Sequence, residues 1–130
     1  MSLSLKSLFA SATFLALSTH AIAASKSPIE GYHCMMLNQS MDQMQDPAHT
    51  VFARAKPDAQ SENKGPVGTV VAIPDNIAPT NGYLPSLNFL RKTVWVPADA
   101  LAPYRVASDP SMTCRPAIRS DGKLDFIFGH

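Results

Sequence analysis

The 130-residue chain has two cysteines, one tryptophan and six glycines, and only 16% of its side chains are charged. Each shortage excludes something. No C-x-x-C occurs, so a thioredoxin-like redox centre lacks its motif. No H-E-x-x-H or H-x-x-x-H spacing occurs, so a zinc enzyme has no ligand pair at the usual interval. The G-x-S-x-G elbow of a serine hydrolase is missing too. Charge of one sign is not in excess: eleven Lys and Arg face ten Asp and Glu. That balance excludes nucleic-acid binding held by a basic surface, and it excludes a polyacidic tail. No apolar run reaches the ~20 residues that cross a bilayer. The carboxylates are scattered beside prolines and glycines, where they read as caps and turn residues. The expectation is a chain that is not an enzyme and uses no cofactor.

Proline is abundant, with eleven in the chain. Each one inside a helix costs about 3 kcal/mol, which excludes a long-helix bundle. Apolar residues make up 45%, enough to argue against wholesale disorder.

Residues 1–23 read as a secretory signal peptide. Lys6 is the one charge, Leu8 to Leu17 is apolar, and Ala21 and Ala23 give a small-residue cleavage site. Removing 23 of 130 residues leaves 107, enough for one domain. The expected location is periplasmic or secreted, with no membrane span after cleavage. In such an oxidising compartment Cys34 and Cys114 are expected to form a structural disulfide. It would close a loop of about 80 residues, worth roughly 4–5 kcal/mol on the chain-entropy model.

Residues 24–31 are small and polar and are expected to form a flexible leader to a single domain over 32–130. Tyr32–Leu37 is a compact apolar run and reads as a strand. Ser40 and Gln43 have capping-box spacing, so a short helical insert is expected, stopped at Asp46-Pro47. Thr50–Ala55 and Gly68–Ile73 read as strands around a polar loop over 56–66. Tyr83–Leu90 is a further strand candidate, with Pro85 expected at an edge or bulge. Thr93–Val96 follows, then a tight helical turn over PADAL, then a short strand over Tyr104–Val106. The end is a hairpin, with Asp121-Gly122 at its turn and Leu124, Phe126 and Phe128 on one face. Short strands and turn-rich joints predict an all-β domain.

Four segments have a further pattern: Val51-Phe52-Ala53-Arg54-Ala55-Lys56-Pro57, Val67-Gly68-Thr69-Val70, Asn81-Gly82-Tyr83, and Thr93-Val94-Trp95-Val96 closing at Leu101. In this order they resemble a bacterial SH3-like domain. The resemblance implies a small five-stranded barrel, here with an added C-terminal β-hairpin and the short helical insert. It also implies non-enzymatic binding of a peptide, a cell-wall component or an envelope partner protein, and a monomer is expected.

Two sets of residues are candidates for sites. Tyr83, Trp95 and Tyr104, with Phe89, are aromatics suited to a binding groove, and Arg54, Arg91 and Arg105 are available to flank it. In Val94-Trp95-Val96 only one face points inward, so either the tryptophan or the valines are core. His33, Met41, Met44 and His49 form the alternative set. Soft thioether and imidazole ligands suit Cu(I), which makes a periplasmic copper binder the rival function. Against it, methionines fill irregular cores well. A third reading is a structural accessory subunit of an envelope complex, which needs neither set.

Overall fold

A computed structural model of the chain describes Thr13 and residues 25–130. The expected signal peptide over 1–23 therefore lies outside the described residues, apart from Thr13. Ten strands follow: β1 (Ser27–Pro28), β2 (Tyr32–Leu37), β3 (Phe52–Arg54), β4 (Asn63–Pro66), β5 (Val70–Pro74), β6 (Tyr83–Leu87), β7 (Thr93–Pro97), β8 (Leu101–Pro103), β9 (Thr113–Ile118) and β10 (Leu124–Gly129). The chain is all-β. Seven strands form one antiparallel sheet in the order β4-β3-β7-β6-β5-β2-β8, and three form a second, β1-β9-β10. Neither sheet closes on itself: β4 and β8 are the edges of the larger one.

Alternation along each strand decides which side chains meet. Leu37, Ala53, Val71, Ile73, Leu84, Val94, Val96 and Leu101 gather into one buried cluster. Complete burial of such side chains stabilises by about 1.5–3 kcal/mol each. Cys34 and Ala72 pair across β2 and β5 with the opposite parity, so they face the other side of the sheet. Both are nevertheless buried, because β9 packs along β2 there. The Cys34–Cys114 disulfide joins the two sheets at this contact, with its Cα atoms 6.0 Å apart. Pro116 and Ala117 of β9 are buried at the same junction.

The short helix (α1, Met41–Gln45) forms as its sequence predicts. The Ser40 hydroxyl accepts from the Gln43 N–H at 3.2 Å, and the Gln43 side chain accepts from the Ser40 N–H at 3.0 Å. Asp46 then caps a 3-10 turn at Pro47–His49 through the Ala48 N–H. A second 3-10 turn, Ala98–Ala100, links β7 to β8. The C-terminal hairpin turns at Gly122, whose φ of 82° is left-handed, the region that suits glycine. Asn81 and Gly82 also both take positive φ, and Thr80 and Tyr83 exchange two hydrogen bonds around them. That is the two-residue hairpin that Asn-Gly favours.

Four segments differ from the sequence expectation. Ser27–Pro28, within the expected leader, pairs with Ile118 and Ala117 of β9. Asn63–Pro66, within the expected polar loop, is strand β4, which pairs with β3 through an irregular register. Its residues are not strand formers, so pairing rather than propensity makes the strand. The short strand after the PADAL turn is Leu101–Pro103 and not Tyr104–Val106, because it pairs with Met35–Leu37. Pro85 lies in β6, a central strand, and is buried, not at an edge. Alternation explains its tolerance. Ala98 donates to Gly82 and Asn88 donates to Lys92, which makes the even-numbered β6 residues the hydrogen-bonded partners of β7. Pro85 therefore directs its donorless nitrogen away from β7, towards β5. There β6 has one paired position, Leu87 with Ala72, so no bond is lost.

Candidate functional site: an aromatic and proline strip on the outer sheet face

Because Val94 and Val96 enter the core, with 7% and 1% of their surface exposed, Trp95 must stand on the opposite face. It is half-buried there. Its cross-strand partner on one side is Pro85 of β6, and on the other it is Arg54 of β3. The Trp95–Pro85 pair lies at a position without mutual hydrogen bonds, where side chains approach most closely. Tyr83 is two residues from Pro85 on the same face, opposite Pro97. Tyr83, Pro85, Pro97, Trp95 and Arg54 thus form one strip across three adjacent strands.

The loops beside the strip are tied down. Arg54 Nη1 donates to the Ser61 carbonyl at 3.2 Å, which fixes the guanidinium near the tryptophan. Asn81 Nδ2 donates to the Pro57 carbonyl at 3.0 Å, joining the loop after β3 to the turn before β6. A flat aromatic backed by the buried Pro85, together with Pro97, a phenol and a held guanidinium, can stack on an extended chain and hydrogen-bond its carbonyls or carboxylates.

The third aromatic candidate is elsewhere. Tyr104 follows β8, which is separated from β7 by β2, β5 and β6. Its ring packs on Phe128 with centroids 6.0 Å apart, against the second sheet. Of the flanking arginines, Arg54 belongs to the strip. Arg91 donates through Nε to the Gly122 carbonyl, and the Arg105 N–H donates to Met36 Sδ at 3.4 Å.

The copper candidates do not converge. His33 Nδ1 is bonded to Asp75 at 2.7 Å, and His49 Nδ1 to Asp46 at 2.9 Å. Met44 packs against the core beside the end of β2, and Met41 is 71% exposed. His33 is four residues back along β2, about 13 Å away at strand rise. Met44 and His49 line one shallow cleft near Leu37 and Val51, and neither His33 nor Met41 reaches it. Among the described residues, no three His, Cys, Asp or Glu side chains come together as metal ligands.

Four carboxylates, two exposed and two half-buried, ionise more readily than usual. The Ala48 N–H and then His49 hold Asp46 below the ordinary 3.8. His130 and then Ser111 act likewise on Asp109, and Arg119 with the Lys123 N–H on Asp121. For Asp125 the largest cause is the Phe126 N–H. These aspartates cap or bridge turns and strand ends and are dispersed over the surface, so they form no reactive cluster.

No family model, curated protein or solved structure matches this chain. Among the described residues, no helix is long and apolar enough to cross a membrane.

Proposed function

We propose that this chain is a small exported binding domain with an SH3-like arrangement, and that it recognises an extended peptide through the Tyr83–Trp95–Arg54 strip, which the buried Pro85 backs. The peptide belongs to a partner protein or to the cell wall. No catalytic step is involved. The observation that carries the reading is the outward position of the single tryptophan, held against Pro85 and Arg54 while its two valine neighbours build the core. A half-buried aromatic already fixed by its neighbours pays little entropy on binding, which is why such residues anchor small interfaces.

The strand order supports the SH3-like reading. β2, β5, β6 and β7 follow one another as neighbours, a 3-10 turn leads out of β7, and β8 returns to pair with β2. The β3–β4 hairpin occupies the long connection between β2 and β5, and β3 reaches β7. Hydrogen bonding leaves the circuit open between β4 and β8, so the term barrel describes the curl proposed here and not a closed ladder. The disulfide is in keeping with an oxidising compartment, and export remains part of the proposal.

The test is a titration of 15N-labelled chain with two probes, a mixture of soluble cell-wall muropeptides and a proline-rich decapeptide. Saturable shifts of the Trp95 indole and of the Tyr83 and Arg54 amides with at least one probe, with the Tyr83 and Arg54 shifts lost in Trp95→Ala, are the expected result. Shifts that spare Trp95, Tyr83 and Arg54 would overturn the assignment.

A further inference from the structure

A cleft of about 280 Å³ opens at the other side of β7, where the larger sheet meets the terminal hairpin. Its floor is the core face: Val71, Val94 and Val96, with Ser86 beside them. Leu124 and Phe126 of β10 form one wall. Ser86 is the one polar side chain buried in the described core, and it lies in this lining. The volume is near the lower end for small-molecule sites, and an apolar lining with few polar groups is the usual composition of such sites.

The one charged side chain in the lining is a cation. Lys64 lines the cleft, and no carboxylate does. Phe89 stands at the mouth, 53% exposed, with Lys123 Nζ 5.2 Å and the Arg119 guanidinium 5.5 Å from its ring centre. Two of these cations already have partners: Lys64 pairs with Glu62 at 3.2 Å and Arg119 with Asp121. The Lys123 ammonium has no ion-pair partner among the described residues. The Phe89 carbonyl accepts from the Leu124 N–H at 2.9 Å, so the two turns that hold Phe89 and Lys123 are joined. The mouth is thereby fixed, not left to loop motion.

We infer that this cleft binds a small amphiphile with an anionic head, specifically a medium-chain acyl carboxylate. The acyl chain lies on Val71, Val94 and Leu124, and the carboxylate meets Lys123 and Lys64 at the rim. Cationic amphiphiles are rejected for want of any carboxylate in the lining. This site is separate from the Trp95 strip, which occupies the opposite face of β7.

The test uses the disulfide-bonded chain and sodium decanoate below its micellar concentration, followed by calorimetry and methyl NMR. One decanoate per chain should bind saturably and shift the methyls of Val71, Val94 and Leu124. Decyltrimethylammonium should not bind. The double variant Lys64→Gln, Lys123→Gln should weaken decanoate about tenfold, as loss of charge-assisted contacts does, with an unchanged melting temperature. Non-saturating decanoate, equal binding of the cationic amphiphile, or shifts confined to the Trp95 face would each overturn the inference. So would binding to phosphatidylglycerol vesicles without binding to free decanoate, since that assigns the cations to a lipid surface. None of these outcomes bears on peptide binding at Trp95.

Discussion

Reduction of the Cys34–Cys114 bridge should remove a large share of the domain's stability. The cysteines are 80 positions apart, and a loop of that length restricts the unfolded chain by about 4.5 kcal/mol. Small domains have only ~5–15 kcal/mol in total. The bridge also joins two sheets that share no strand, so its loss acts on their contact directly. Urea unfolding with and without reductant measures the effect, read through Trp95 fluorescence because it is the only tryptophan. At a slope of about 1.5 kcal/mol per molar, the midpoint should fall by roughly 3 M. Hydrogen exchange in β9 and β10 should quicken more than in β5 and β6, because the smaller sheet loses its covalent tie. A midpoint shift under about 0.5 M would refute the reasoning. It would mean that Pro116, Ala117 and the turn-to-turn bonds hold the second sheet unaided, or that the unfolded chain is compact without the bridge.

Other perturbations have equally direct readouts. Ile73→Ala should cost about 2–5 kcal/mol in urea unfolding, because Ile73 is 1% exposed in the core. Ile77→Ala, at a 43% exposed position, should stay within about 0.5 kcal/mol. Asp46, Asp109, Asp121 and Asp125 all have lowered values in the folded chain, so they stabilise it above the unfolded aspartate range. That contribution is lost as pH falls through the folded values, so the melting temperature should begin to drop below about pH 4, less steeply in Asp109→Asn. Gly122→Ala should destabilise by about 1 kcal/mol in thermal melts, because φ is 82° there.

Much of the larger sheet was legible because its strands are locally consistent. Tyr32–Leu37 and Thr93–Val96 are compact, β-rich and bounded by turn formers, and they form strands nearly as read. The capping box at Ser40 and the Asp-Gly hairpin were legible for the same reason: their chemistry lies within four residues. What was hidden depends on partners distant in sequence. Nothing in Asn63-Lys64-Gly65-Pro66 signals a strand until Phe52–Arg54 lies beside it. Pro85 reads as an edge residue until the register shows which way its nitrogen points.

The candidate site was legible by residue type and not by grouping. Alternation narrowed Trp95 to two positions, and only the packing of Val94 and Val96 chose between them. Tyr104 was grouped with it by chemistry alone, and the strand order sends it to Phe128 instead. The two cations over the Phe89 ring come from a turn about 30 residues away, so the near-neutral total charge conceals the grouping.

The most direct test of the central claim follows the Trp95 indole N–H while the muropeptide mixture and the proline-rich decapeptide are added in turn. The account predicts a saturable shift with one of them, shared by Tyr83 and Arg54 and weakened at least about tenfold by Arg54→Ala. A probe that binds while the Trp95, Tyr83 and Arg54 signals stay fixed would contradict it.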